Sequence, residues 1–156
     1  SDYVSRKLWT PMHAEESALW SLDRKDGMEK AYCCFNSNAR DFARFGQLLL
    51  NNGQWDGQQL ISPAYLAEAT SPDTRLVYKD LGKPNHCYGF QYWILDYKGM
   101  KIPYMRGILG QYVFTLPEKN AVIVRLGHKR SDTYTADQHY PDDINTWLDA
   151  AMDLLQ

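Results

Sequence analysis

Four strand-forming stretches follow one another in the second half of the chain, and they limit the fold more than any other feature. Strands are predicted at 88–95, 100–106, 110–116 and 121–127. The first has apolar residues at both alternating sets of positions, which is typical of a strand covered on both faces. Turns at Asp96 to Gly99 and at Pro117 to Asn120 join neighbouring strands. Connections this short bring strands together antiparallel, so the sequence predicts an antiparallel meander.

Apolar residues at helical spacing occur in the sequence both before and after these strands. Asn38 is predicted to cap a helix that has Phe42, Phe45, Gly46 and Leu49 on one apolar face and ends at Asn51-Asn52-Gly53. Further helices are predicted at 2–10 before Pro11, from Ser62-Pro63 to near Thr70, and over Ile144, Trp147, Leu148, Ala151 and Leu155. The segments 12–36 and 71–87 are predicted to be loops. Helices, a meander and a closing helix define an α+β fold, and 156 residues suit one domain or a large piece of one.

Composition argues against several classes of protein. The net charge is -2 and no Lys/Arg run occurs, so no nucleic-acid partner is predicted. No apolar stretch of about 18 residues occurs, so no membrane span is predicted. Three cysteines, Cys33, Cys34 and Cys87, are interpreted as small buried thiols, because neighbours in sequence do not easily form a disulfide; a Cys34–Cys87 bond is left open. The cysteines and the four histidines lack metal-site spacing, so neither a metal nor a cofactor is predicted.

Nucleophile motifs are absent from the sequence. There is no G-x-S-x-G, none of the eight serines has Lys three residues later, no Tyr has Asn two residues later, and Lys-Thr-Gly does not occur. His86 and Cys87 are adjacent, and sequence neighbours rarely face each other in a catalytic pair. No catalytic residue is therefore predicted within this chain.

One segment, 107–129, carries a family resemblance. It reads G-I-L-G-Q-Y-V-F-T-L-P-E-K-N-A-V-I-V-R-L-G-H-K. It resembles the strand–turn–strand of class C β-lactamases and related esterases and peptidases, with a G-x-x-G step, a P-E-K-N-like turn and an apolar strand that ends in a basic residue. Further matching stretches occur in family order at Pro11-Met12, 38–46, 53–63, 88–93 and Tyr140-Pro141.

The resemblance implies a β-lactamase/transpeptidase-like fold of which residues 1–156 are the C-terminal portion. In that family a serine is activated by a lysine in S-x-x-K and assisted by a tyrosine in Y-x-N, and both motifs precede the region seen here. The parent is expected to hydrolyse small esters, amides or D-amino-acid peptides through an acyl-enzyme, and this chain alone to be inactive. Ile102-Pro103-Tyr104 align with Lys-Thr-Gly, which disfavours β-lactam hydrolysis. A periplasmic or secreted location is what the resemblance suggests.

The same resemblance places a cleft wall at the edge that precedes the third strand. The predicted oxyanion and substrate-binding residues are Arg106, Gly107, Ile108, Leu109, Gly110 and Gln111. The N–H of Ile108 or Leu109 is the candidate oxyanion donor. Two alternatives stay open: Gly107 and Gly110 form only a β-bulge, and Arg106 is either a carboxylate anchor or a solvated strand-end residue.

Three aromatic residues near this edge are interpreted separately. Trp93 and Tyr112 are expected in the core, and Tyr78 is a candidate for the cleft mouth. Two other functions remain open, a catalytically inactive module that binds peptide or cell-wall fragments, and an isolated structural domain. Without the family's N-terminal strands one sheet edge would be bare, so the missing half or a homo-oligomer is expected to cover the sheet.

Overall fold

The computed structural model describes residues 2–78, 82–136 and 139–155. Its helices are α1 (Asp2–Val4), followed by a π-helical turn at Ser5–Trp9, α2 (Ala39–Leu50), α3 (Pro63–Ala69) and α4 (Asp143–Leu154). Its strands are β1 (Leu19–Trp20), β2 (Phe35–Asn36), β3 (Gln54–Trp55), β4 (Gln58–Gln59), β5 (Val77–Tyr78), β6 (Lys83–Pro84), β7 (Trp93–Tyr97), β8 (Met100–Arg106), β9 (Gln111–Leu116) and β10 (Ala121–Leu126).

The predicted meander forms the main sheet. Strands β7 to β10 pair antiparallel, and their spatial order is the same as their order in the chain. The last three strands lie within one residue of their predicted bounds. A short 3₁₀ turn at Pro117–Lys119, closed by Asn120 in the left-handed region (φ 47°), connects β9 to β10. The α+β order of elements is therefore confirmed.

The hairpin between β7 and β8 is tighter than predicted. Its loop is Lys98-Gly99, and both residues have positive φ (52° and 86°), as a type I′ turn requires. Asp96, predicted within the turn, belongs to β7 and pairs with Lys101. Its Oδ1 accepts a hydrogen bond of 2.8 Å from the Gly99 amide, so the carboxylate stabilises the turn from the strand.

The bounds predicted for the first strand, 88–95, are wrong. The chain makes a tight turn at 89–92, and β7 begins only after it and extends two residues further than predicted. The amide of Phe90 donates to the carbonyl oxygen of Ala69, 2.9 Å away at the end of α3. The alternation of apolar residues thus serves two separate contacts, the end of α3 and the sheet, rather than one continuous strand.

Two segments predicted as loops contain short antiparallel ribbons. In 12–36, β1 pairs with β2, and the rings of Trp20 and Phe35 lie 5.4 Å apart with Trp9 a further 5.2 Å from Phe35. In 71–87, β5 pairs with β6, and residues 79–81 between them lie outside the described part. Two-residue strands lack the length that periodicity needs, so the sequence pattern did not indicate them.

The cysteine prediction is corrected for two of the three residues. Cys33 and Cys34 are joined by a disulfide, so the alternative Cys34–Cys87 bond is excluded. Cys34 has φ 70°, in the left-handed region, and this uncommon backbone conformation accompanies the bond between neighbours. Cys87 lies outside the disulfide and is 1% exposed, as expected for a thiol in the core.

The two faces of the sheet are covered by different helices. The core between the sheet and α4 consists of Leu95, Tyr97, Ile102, Tyr104, Tyr112, Phe114, Leu116, Tyr140, Ile144 and Leu148. On the other face α2 packs on β9 and β10, because successive strand residues point to opposite sides. Helix α2 begins as predicted at Asn38, whose Oδ1 accepts from the Asp41 amide at 2.9 Å.

Gly46 lets α2 approach β10 closely. A Cβ on Gly46 would lie 2.5 Å and 2.9 Å from the two γ-carbons of Val122. We expect Gly46→Ala to destabilise the protein by about 1–2 kcal/mol, because overpacking outweighs the gain in helix propensity. Val122→Ala should remove much of that cost in the double variant, with a coupling energy of about 1 kcal/mol from urea unfolding. Strictly additive effects would show that the contact does not limit the packing.

The outer edge of β10 is not paired with any other strand in the described ranges. On the opposite edge, the Ile94 amide of β7 donates to the carbonyl oxygen of Cys87 at 2.8 Å. No helix within 2–78, 82–136 or 139–155 has the length and apolar character to cross a membrane.

Candidate functional site

The predicted site residues run from the last residue of β8, Arg106, through the hairpin loop to the first residue of β9, Gln111. The Gly110 amide donates to the carbonyl oxygen of Gly107 at 3.4 Å, which closes a four-residue turn. The Gly107 amide in turn donates to the backbone oxygen of Gln111 at 2.8 Å. With Gly110 in the left-handed region, this is a three-residue hairpin loop with a G1 bulge. The structure thus gives the two glycines a conformational role, and a contact with substrate stays a prediction.

Gly110 is held in place by residues of β10 and of the segment directly after it. It has φ 85°, and a Cβ there would lie 2.7 Å from the backbone oxygen of Lys129, so only glycine fits. Its carbonyl oxygen accepts from the Gly127 amide at 3.2 Å and from Nη1 of Arg125. The loop is therefore tied to the strand behind it by two donors.

The two candidate oxyanion donors have different surroundings. The amide of Leu109 donates to Oε1 of Gln111 at 3.1 Å, so it is already used. The amide of Ile108 has no hydrogen-bond partner among the described residues. Because the Gly107 carbonyl points into the turn, the trans peptide directs the Ile108 N–H away from it. Ile108 is 80% exposed, so the surface of the loop is open at this residue.

Arg106 ends β8 and its guanidinium lies against an aromatic ring. Its Cζ is 3.4 Å from the centroid of Trp93, and Nη1 donates to Tyr104 Oη at 3.3 Å and to the His139 carbonyl at 3.0 Å. The ring of Tyr134 is 6.0 Å away. Among the described residues, the contacts of the Arg106 guanidinium are with aromatic faces and neutral oxygens.

Two further arginines next to the loop were missed by sequence reasoning. Arg130 donates from Nε to the carbonyl oxygen of Ile108 at 2.9 Å, and Arg125 donates from Nη2 to the carbonyl oxygen of Lys129 at 3.0 Å. The available signal was the basic residues at the end of β10 and after Gly127, but the sequence pattern does not show which of their side chains bond to the loop. Both guanidinium groups therefore bond to backbone oxygens in the loop or in the segment beside it.

Tyr112 and Tyr104 belong to the core beneath this edge. Tyr112 is fully buried, which raises the pKa of its phenol to about 12, with Asp143 adding to the rise and three arginines opposing it. Burial likewise raises the pKa of Tyr104. Neither phenol is ionised near neutral pH, so neither is a candidate general base. Tyr112 thus lies in the core as predicted, and Trp93 is half-buried and packs against the core, with its ring also in contact with Arg106.

Other candidate groups lie away from the loop or outside the description. His86 and Cys87 line a groove of about 340 Å³ beside β7, together with Asp96 and Lys101. The side chain of Tyr78 is outside the described part of the structure. Within the described ranges, no group of three or more His, Cys, Asp or Glu residues could hold a metal ion.

Comparisons with known proteins relate this chain to hydrolases. No family model matches it. It is 27% identical over 127 residues to the 6-aminohexanoate-dimer hydrolase of Paenarthrobacter ureafaciens, a match that covers 79% of this chain and 32% of that relative. A solved structure from Bacillus anthracis, assigned as a 6-aminohexanoate-dimer hydrolase, superposes with a TM-score of 0.74 at 26% identity. That alignment covers 98% of this chain and 37% of the neighbour.

The structural likeness confirms the predicted fold class. The α+β arrangement of helices, antiparallel sheet and closing helix is shared with the Bacillus anthracis protein, as expected for the β-lactamase/transpeptidase-like class. The chain spans about a third of the length of each of these two relatives.

Proposed function

We propose that this chain is the C-terminal portion of a β-lactamase-like serine hydrolase that cleaves linear amide bonds. The loop between β8 and β9 forms one wall of the substrate cleft, and the N–H of Ile108 donates to the oxyanion. Both relatives are named for hydrolysis of a 6-aminohexanoate dimer, and the likeness to one of them extends over nearly all of this chain. Amides are therefore favoured over the esters and D-amino-acid peptides that the sequence also allowed.

The single observation that carries this proposal is the unpartnered backbone N–H of Ile108 in a firmly held turn. An oxyanion hole needs a donor that is already aimed before the reaction, because reorienting a dipole during the reaction would cost energy. Arg130 donates to the carbonyl oxygen of Ile108 and Arg125 to that of Gly110, and the Leu109 amide donates to Gln111, so the backbone is restrained at Ile108 and directly after it. The amide itself stays available to a substrate oxygen.

The serine nucleophile and its base belong, in this proposal, to a segment that precedes the chain. There a serine hydroxyl loses its proton to a lysine and attacks the amide carbonyl, and the tetrahedral oxyanion forms beside the Ile108 N–H. The amine leaves, and water then hydrolyses the acyl-enzyme. The unpaired outer edge of β10 offers the backbone groups on which a preceding strand can add, and a second copy of the chain is the alternative occupant.

The test uses the longer protein that contains this chain. We expect it to hydrolyse a linear dimer of 6-aminohexanoate and a p-nitrophenyl ester, and to leave a chromogenic β-lactam largely intact. Mass spectrometry of a quenched reaction should find the acyl group on the serine of an S-x-x-K motif. The matched control replaces that serine by alanine. Binding of the dimer without turnover, in a protein that lacks the Ser/Lys pair, would support the inactive binding module instead.

A further inference from the structure

Gln111 connects three parts of the candidate site through one residue. Its Oε1 accepts from the Leu109 amide at 3.1 Å, and its Nε2 donates to the carbonyl oxygen of Gly127 at 2.5 Å. Its backbone oxygen accepts from the Gly107 amide at 2.8 Å. Both ends of the loop, and the end of the neighbouring strand β10, therefore bond to this residue.

A carboxamide at this position matches both side-chain hydrogen bonds. The Leu109 N–H is a donor and the Gly127 carbonyl is an acceptor, so the bonds place the oxygen of the Gln111 amide toward Leu109 and its nitrogen toward Gly127. A glutamate has no donor for Gly127, and a lysine has no acceptor for Leu109. Asparagine has both groups on a side chain that is one methylene shorter.

The backbone next to Gln111 is shaped to admit its side chain. A Cβ on Gly107 would lie 2.3 Å from Oε1 and 2.9 Å from the Cβ of Gln111. Glycine at this position therefore leaves room for the amide to reach back under the turn. The bond between Gln111 and Leu109 therefore depends on the absence of a side chain at Gly107.

We propose that Gln111 is the positioning residue of the oxyanion loop. By accepting the Leu109 N–H, it turns that amide into the loop and leaves the neighbouring Ile108 N–H as the donor presented to substrate. By donating to the carbonyl oxygen of Gly127, it fixes the position of the loop relative to the end of β10. This inference rests on the proposed function for its catalytic consequence, whereas the arrangement of the two amides is a property of the chain itself.

Two variants of the full-length protein separate positioning from general stability. Gln111→Met keeps the length of the side chain and removes both hydrogen bonds, and Gln111→Glu keeps the acceptor and removes the donor. We expect kcat for the amide substrate to fall about 10- to 100-fold in Gln111→Met and less in Gln111→Glu, with KM changed by less than about 3-fold. Affinity for a phosphonate analogue of the tetrahedral intermediate should fall in parallel with kcat. The proposal would be overturned if both variants lost kcat/KM to the same extent and only through a higher KM, with kcat unchanged.

Hydrogen exchange tests the arrangement without activity. In the wild-type protein the Leu109 amide should exchange more slowly than the Ile108 amide, and Gln111→Met should accelerate exchange at Leu109 about 10-fold or more. Unchanged exchange at Leu109 would overturn the inference even in an active enzyme. If Gln111→Met accelerates exchange at Leu109 but the wild-type protein shows no amidase activity, the role of Gln111 in the loop is kept and the proposed function is rejected.

Discussion

An Ile108→Pro variant of the full-length protein should lose about 10²- to 10³-fold in kcat for an amide substrate, the size of effect seen when one oxyanion-hole donor is removed. Proline lacks the N–H that we assign to the oxyanion. Ile108 occupies the second position of the turn that runs from Gly107 to Gly110, and proline is favoured at that position of common turns. Gly107 has no Cβ to clash with the following ring. The variant thus removes the donor with little change to the loop.

Ile108→Ala is the matched control, because it removes the exposed side chain and keeps the N–H. We expect Ile108→Ala to stay within about 5-fold of wild-type kcat, since Ile108 is 80% exposed and its side chain supports little packing. Urea unfolding should show both variants close to the wild-type free energy of unfolding. If the two variants lose kcat equally, the side chain rather than the amide matters, and the oxyanion donor must lie elsewhere.

Much of the fold could be predicted because short-range signals agree with the tertiary structure. Asn38 caps α2 in the structure as its side chain suggested, and Pro63 opens α3. The strands β8 to β10 match their predicted positions because each alternates between two covered faces. At 88–95, where the predicted bounds were wrong, the Phe90 amide donates to the carbonyl oxygen of Ala69. That contact joins residues far apart in the chain, which local periodicity cannot reveal.

The family resemblance located the candidate loop in the sequence. Only the structure shows which amides of the loop are already hydrogen-bonded and which one is open. The glycines at 107 and 110 indicated a tight backbone, but the sequence left Ile108 and Leu109 as equal candidates for the donor. Their difference arises from the side chain of Gln111, which points back toward Leu109. Arg130 reaches Ile108 across more than twenty residues, and no local pattern predicts such a bond. The disulfide between Cys33 and Cys34 likewise contradicted an argument from sequence separation alone.

Asp41→Ala should destabilise the protein by about 3 kcal/mol, because a fully buried carboxylate with several donors would be lost. Its oxygens accept from the backbone amides of Glu15 (2.8 Å) and Glu16 (3.1 Å), from Nδ2 of Asn38 (2.7 Å) and from Nη1 of Arg44 (3.1 Å). One side chain thereby fixes the start of α2 and the segment before β1. Urea unfolding should show the loss, and Asp41→Asn, which keeps one acceptor, should cost less. Equal stability of Asp41→Ala and wild type would contradict this role.

The lowered pKa of the Asp41 carboxylate makes the free energy of unfolding depend on pH. Burial alone would raise the pKa of Asp41, but the hydrogen bonds from Glu15, Glu16 and Asn38 and the charge of Arg44 outweigh it and lower the pKa below its ordinary value of 3.8. A group whose pKa is lower in the folded state stabilises the protein above the unfolded pKa, and this contribution is lost as the pH falls through the folded pKa. The free energy of unfolding should therefore fall more between neutral pH and about pH 3 in the wild type than in Asp41→Asn, which cannot titrate at this position. Parallel pH profiles of the two proteins would show that other carboxylates dominate acid unfolding.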